Sequence, residues 1–166
     1  MHPSRSARWL WLTVAVILAD RLLKLLIERD TREGFRHDLI PGFATLVHSV
    51  NAGIAFGMFS DSASRWISVL LIVSSTAVLA LLIWLLVAGR AGGTASQAGF
   101  ALIAGGAAGN LLDRLLHGGV TDFLELHAGS FVWPAFNLAD SAITIGACLV
   151  LLELLRGQPQ ARGART

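Results

Sequence analysis

The 166-residue chain is 54% hydrophobic but only 14% charged, with a mean hydropathy of +0.64. Soluble domains carry about 25% charge, so this composition points to a membrane protein whose length suits one compact bundle. The formal charge of +2 is unremarkable and nothing in the chain resembles a nucleic-acid footprint, and a single cysteine excludes an intrachain disulfide or thiolate cluster.

The first apolar run covers 9–27 and is free of charge only to Ala19. Its basic start resembles a signal peptide, but Asp20, Arg21 and Lys24 follow without a small-x-small cleavage site, so a retained span is expected. Asp20 and Lys24 stand i,i+4 with the acid first, the favourable order for a helical ion pair. One reading is a paired charge at the outer interface, with Lys24 snorkelling. The other has the pair brace a site from the first helix.

Residues 28–65 form an outer segment. HDLIPGFATLVHSVNAGIAFGMF has short β-branched runs and Pro–Gly punctuation, which predict two or three short strands in a small sheet on the bundle. Asn51 and Gly53 lie in its NAGIAF stretch, where both are ordinary turn residues. A functional Asn51 would offer its amide to a substrate backbone.

The second run, 66–88, carries no charge, and the third, 98–116, is polar only near its end. Ala101, Gly105 and Gly109 make a small-residue ladder for close helix packing, leading into Asn110, Asp113 and Arg114. Asp113 and Arg114 are expected to tie the outer end of that helix to the loops above, as structural supports. Asp122 follows in GGVTDF, read as a short loop. The fourth run, 137–155, opens with Asn137 and Asp140, and Cys148 further along reads as a small core residue. Each run approaches the roughly 20 residues a helix needs to cross a bilayer. Residues 157–166 read as a disordered cytoplasmic tail.

The expected fold is an all-α membrane protein. A four-transmembrane-helix bundle forms one domain over 1–156, with a small extracytoplasmic β-sheet segment between helices 1 and 2. Arg5, Arg8, Arg90, Arg156, Arg162 and Arg165 fall on one side, which should be cytoplasmic. Both termini are then inside, and Asp122 and the start of the fourth helix are outside.

Asp122 and Asp140 each lie at the membrane end of an apolar run, where an ionisable group is costly and marks a site. Two carboxylates brought together could share one proton and act as acid and base. Helix capping competes for the second pair, with Asn137 as N-cap and Asp140 at the positive helix end. Against capping alone, Asp140, Ser141, Thr144 and Cys148 share one helical face expected to point into the bundle. The five histidines show no metal-ligand spacing. Two other classes remain open. A proton-coupled transporter would also carry intramembrane carboxylates, although no inverted repeat is visible. A metal-dependent membrane phosphotransferase would need more clustered carboxylates than Asp113, Asp122 and Asp140, and its activity would be chelator-sensitive.

NAGIAF (51–56), GNLLDRLLHGGVTDF (109–123) and FNLADSAI (136–143) resemble, in order and spacing, the signature blocks of the lipoprotein signal peptidase (signal peptidase II) family. The Asp20–Lys24 pair resembles that family's first helix, and the likeness covers about residues 9–156. Thr121 departs from it, standing where an apolar residue is common. The resemblance implies an aspartic endopeptidase of the bacterial inner membrane. Its substrate would be a diacylglyceryl-modified prolipoprotein, cut before the lipid-modified cysteine near the outer face. It implies Asp122 and Asp140 as the catalytic pair. Asn51, Gly53, Asn110, Asp113, Arg114 and Asn137 match the family's blocks as supporting residues, beside Asp20 and Lys24. No metal, cofactor or covalent intermediate is expected. The partners would be the prolipoprotein and membrane lipid but no nucleic acid, and a monomer is expected.

Overall fold

The computed structural model describes residues 7–51 and 65–156. Four long helices fall where the apolar runs stand: α1 (Leu10–Asp30), α2 (Arg65–Val87), α3 (Thr94–His117) and α4 (Leu138–Arg156). Their ends are closed by identifiable groups. Thr31 returns its hydroxyl to the Ile27 carbonyl at 2.7 Å after α1. Gly118, at φ 76°, supplies the left-handed residue that stops α3. The start of α3 has no cap of its own. Glu153 of α4 provides it, accepting the Gly93 N–H at 2.7 Å and the Ser96 N–H at 3.0 Å.

Helix α3 is the centre of the bundle, and its small residues set the spacing on two faces. A Cβ on Gly105 would lie 2.7 Å from Val16 of α1, and one on Gly109 would lie 2.7 Å from the Asp20 carboxylate. On the other face, a Cβ on Gly106 would meet the Ala139 carbonyl of α4 at 2.3 Å. The expected ladder is therefore a two-sided contact.

Polarity runs opposite to that of a water-soluble protein. Lys24, Asp20, Asp113 and Asn137 are among the largest fully buried side chains, whereas Trp11, Leu18, Leu70, Leu154 and Leu155 are exposed. Apolar surface on this scale needs a lipid neighbour. Two helical stretches, Ser68–Val87 and Leu138–Arg156, are long and apolar enough to cross a membrane. Cys148 lies on the exposed surface of α4, not in the core as its apolar setting suggested. The expected inward face of α4 is therefore shorter than the sequence pattern.

The chain is mostly helical with a small antiparallel sheet, as expected, but the sheet extends beyond the segment between helices 1 and 2. Strands β1 (Arg36–Ile40), β2 (Ala44–Asn51), β3 (Val120–Ala128) and β4 (Phe131–Phe136) form one antiparallel sheet in the order β1-β2-β3-β4. The first hairpin lies in the outer segment where strands were expected. The second replaces the expected short loop between α3 and α4. Asp122 is thus a strand residue, opposite Ser49 on β2. Its nearest apolar neighbours along β3 complete the sheet, a long-range pairing that local patterning does not announce. Gly53 and the 157–166 tail lie outside the described residues.

Candidate active site

Three elements bring their polar ends together where the sheet meets the bundle. Asp122 lies near the start of β3, Asn110 lies in the last turns of α3, and Asn137 and Asp140 open α4. Asn137 is the N-cap. Its Oδ1 accepts the Asp140 N–H at 2.9 Å, and Asp140 Oδ2 accepts the Asn137 N–H at 3.3 Å. That reciprocal arrangement is a capping box with an acid at its third position. The Asn137 amide then donates outward, at 2.6 Å to Asp122 Oδ1 and 3.3 Å to the Thr121 carbonyl. One asparagine ties both aspartates.

Each carboxylate has a second asparagine. Asn110 Nδ2 donates to Asp140 Oδ1 at 2.8 Å, and Asn51 Nδ2 reaches Asp122 Oδ2 at 3.4 Å. Lys24 fixes the orientation of Asn110, because its ammonium donates to Asn110 Oδ1 at 3.0 Å and leaves the amide NH₂ facing Asp140. The same ammonium contacts Asp20 Oδ2 at 2.7 Å and Asp113 Oδ2 at 2.8 Å, so all three of its protons are used. Asp20 Oδ1 accepts the Ala139 N–H at 2.9 Å, gripping the first turn of α4 from α1. Lys24 is fully buried, which overturns the snorkelling reading and supports the bracing one.

Asp122 and Asp140 line a cavity of about 730 Å³ between α2, α3, α4 and the second hairpin. Asn51, Asn110 and Arg114 supply most of the remaining polarity near the carboxylates. Val78, Ile103, Ile143 and Ile145 supply apolar wall. Burial and the nearby Asp140 carboxylate push the Asp122 carboxyl up to about 7, against the pull of the Asn137 and Asn51 amides. A carboxyl held near neutrality beside a second carboxylate can hold or release a proton at physiological pH. Among the described residues, no three His, Cys, Asp or Glu side chains gather as metal ligands.

The sequence-predicted residues divide into two layers. Asn51, Asn110, Arg114, Asp122 and Asp140 meet at the cavity, with Asn137 buried directly behind. Asp20, Lys24 and Asp113 lie beneath and never reach it. Asp113 and Arg114, expected to serve together, point different ways. Asp113 joins the buried network and accepts the Thr121 N–H at 3.4 Å, while Arg114 lines the cavity.

Arg21 and Glu28 were missed as site residues. Arg21 bridges Asp113 at 3.0 Å and Glu28 at 2.7 Å, and Thr121 Oγ1 donates to Glu28 Oε1 at 2.8 Å. Asp20, Lys24 and Glu28 repeat every four residues along α1, a stripe that could have revealed Glu28 had it not been assigned to the outer segment.

A family model described as Signal peptidase (SPase) II matches residues 12–156. The chain belongs to the signal peptidase II family. It is 42% identical over 156 residues to the lipoprotein signal peptidase of Solibacter usitatus, covering 93% of this chain and 95% of that one. It is 41% identical over 162 residues to the lipoprotein signal peptidase of Paraburkholderia phymatum, covering 96% and 92%. Two solved structures described as bacterial membrane enzymes share the fold. One has a TM-score of 0.83 at 26% identity, covering 100% of this chain and 99% of that one. The other has a TM-score of 0.80 at 27% identity, covering 95% and 99%. As a signal peptidase II the chain is a bacterial membrane protease.

Proposed function

We propose that this signal peptidase II is an aspartic endopeptidase. In this reading it removes the signal peptide from diacylglyceryl-modified prolipoproteins by cutting before the lipid-modified cysteine, with Asp122 and Asp140 as the catalytic pair. The observation that carries this is their placement: both carboxylates face one cavity and are joined through Asn137.

The pair shares one proton, because two carboxylates in a desolvated cleft do not both ionise readily. The ionised member takes a proton from water as the water oxygen bonds to the scissile carbonyl carbon. The protonated member donates its proton to the carbonyl oxygen. Collapse of the tetrahedral intermediate breaks the C–N bond: the amine leaves with the proton held by one carboxyl, a hydroxyl of the intermediate returns its proton to the other as the new carboxyl group forms, and one shared proton remains for the next cycle. Asn51 and Arg114 hold the substrate backbone beside the pair. The apolar wall receives lipid-facing parts of the substrate, and the diacylglyceryl chains lie in lipid between helices.

In this reading α1 and α3 also cross the bilayer, giving four spans. Their polar ends are neutralised by the buried network instead of by water. The arginine bias places both ends of the chain in the cytoplasm and the cavity near the outer face of the inner membrane. The enzyme works as a monomer without metal or cofactor.

The test is turnover of a lipidated prolipoprotein peptide by purified enzyme, with Asp122→Asn and Asp140→Asn beside it. Both variants should be folded and inactive, and wild-type activity should persist in excess chelator. Reporter fusions after residue 90 should read cytoplasmic and those near residue 35 should not. A folded, active Asp122→Asn enzyme would end the proposal.

A further inference from the structure

Among the described residues, the hydroxyl side chains that line the cavity of the two aspartates are Ser74 and Ser75 of α2 and Ser141 and Thr144 of α4. In a helix bordered by lipid, a hydroxyl commonly returns its proton to a carbonyl of the preceding turn. Ser74 does so to Leu71 at 3.2 Å, Ser141 to Asn137 at 3.1 Å and Thr144 to Asp140 at 2.9 Å. Thr76, next along α2 but not in the cavity wall, does so to Ile72 at 2.7 Å. Ser75 is the exception. It is half-buried, and its hydroxyl has no hydrogen-bond partner among the described residues. A hydroxyl among apolar walls gains by finding one.

The position of Ser75 matches one part of the substrate. Val78 of α2 and Ile145 of α4 line the cavity and are also exposed on the bundle surface. The cavity therefore opens between α2 and α4 onto the surface that meets lipid. The α3–α4 side is shut, because a Cβ on Gly99 would lie 2.6 Å from the Gly146 carbonyl oxygen. Ser75 stands three residues from Val78, one turn nearer the outer end of α2. A diacylglyceryl-modified cysteine carries its groups in a fixed order. The scissile amide comes first, then two ester carbonyls a few bonds away through the cysteine side chain and glycerol, then the acyl chains. With the amide at the carboxylates and the chains leaving through the mouth, the esters fall between, beside Ser75. An ester carbonyl accepts but cannot donate, and a serine hydroxyl supplies the donor.

We infer that Ser75 is a specificity-determining residue whose hydroxyl donates to an ester carbonyl of the diacylglyceryl group and so holds the lipid at the cavity mouth. A few placed polar groups in an otherwise apolar pocket fix the orientation of what enters it. This rests on the reading that the enzyme cleaves diacylglyceryl-modified prolipoproteins with Asp122 and Asp140.

The test uses two lipidated prolipoprotein peptides of equal chain length. One carries the diacyl esters and the other the dialkyl ethers, which lack the carbonyl oxygens. The ester-to-ether ratio of kcat/KM is measured with full-length purified wild type, Ser75→Ala and Ser74→Ala. Wild type should favour the ester by about two- to tenfold, the range of one net hydrogen bond. Ser75→Ala should lose that preference. Ser74→Ala deletes a hydroxyl already bonded within α2 and should keep the wild-type ratio. A wild type without preference, a ratio that survives in Ser75→Ala, or a ratio lost equally in Ser74→Ala would each overturn the inference. An equal fall on both peptides in Ser75→Ala leaves the ratio intact and counts against it. The diacyl peptide reports separately on the cleavage reading. If it is cut by wild type and not by Asp122→Asn, the dyad stands whatever the ratio shows.

Discussion

Asn137 and Asp140 cap one another at the start of α4, and the same Asn137 side chain holds Asp122 at 2.6 Å. Capping and chemistry are therefore built from one set of atoms. An asparagine at 140 keeps its backbone N–H for Asn137 and offers a side-chain oxygen in place of the carboxylate. Asp140→Asn should shift stability by about 1 kcal/mol or less while abolishing peptide cleavage. Asn137→Ala loses both the cap and the tie to Asp122, so it should lose about 1–2 kcal/mol as well as most activity. Thermal unfolding and turnover on the same purified samples separate the two. Substantial turnover by Asp140→Asn would return that residue to capping alone.

The raised Asp122 carboxyl makes stability depend on pH in a defined window. In the unfolded chain this group titrates near 3.8, and in the folded protein near 7. Between those values the native state holds a proton that the unfolded chain has lost. Stability contributed by the protonated group is therefore complete below about 3.8 and declines as pH rises through about 7. Asp122→Asn cannot titrate, so its melting temperature should vary less with pH across that window than that of wild type. Turnover should fall above about pH 7 as the shared proton is lost. Parallel melting curves for wild type and Asp122→Asn would show that Asp122 does not titrate there.

The helices were legible because lipid imposes a simple rule: about 20 apolar residues and an internally bonded backbone. The observed helices start and stop within a few residues of the predicted spans. The second hairpin was not legible. VTDFLELHA and FVWPAF are short; the first takes its order from pairing with β2 some seventy or more residues earlier in the chain, and the second from pairing with the first. Cys148 failed for a related reason, since in a helix apolar on all sides hydropathy does not say which face meets protein and which meets lipid. The aspartates and asparagines stood out because polar groups beside apolar runs need partners. Which groups partner them is a tertiary fact, and so Arg21 and Glu28 escaped.

The two glycine faces of α3 should respond more strongly than its terminal glycine. A Cβ at 106 would lie 2.3 Å from the Ala139 carbonyl oxygen, which belongs to backbone and cannot swing aside. Gly106→Ala must separate α3 from α4 at the turn that carries Asp140. It should lower both folded yield and activity, with a cost above the 1–3 kcal/mol typical of overpacking. Gly118→Ala meets nothing within 4 Å and bears only left-handed backbone strain, about 1–2 kcal/mol. A Gly106→Ala enzyme as stable as Gly118→Ala would show that the α3–α4 contact is looser than described.

Lys24→Met removes the cation shared by Asp20, Asp113 and Asn110. Two buried carboxylates then face each other with only Arg21 nearby, a loss of roughly 3–5 kcal/mol for a broken buried pair. Adding Asp20→Asn removes one of those charges, so the double variant should melt higher than Lys24→Met alone. An unchanged melting temperature in Lys24→Met would mean that the network is not under charge balance.

Thr121 is where this chain departs from the pattern it resembles, and its contacts explain how a hydroxyl is accommodated. Its Oγ1 donates to Glu28 at 2.8 Å, its N–H reaches Asp113 at 3.4 Å and its carbonyl accepts from Asn137 at 3.3 Å. The residue immediately before Asp122 is thus held by Glu28 of α1, Asp113 of α3 and Asn137 before α4, and Arg21 joins the first two. Thr121→Val keeps the branched shape suited to a strand and deletes only the hydroxyl. Glu28 retains Arg21, so folding should lose only about 0.5–1.5 kcal/mol, one net hydrogen bond. The strand start that aims Asp122 becomes less constrained, and misplacement of a reacting group is felt in rate more than in binding. Turnover should fall several-fold in kcat with KM nearly unchanged, and Thr121→Ser should restore it. A rise in KM at constant kcat would assign Thr121 to substrate binding instead of to the placement of Asp122.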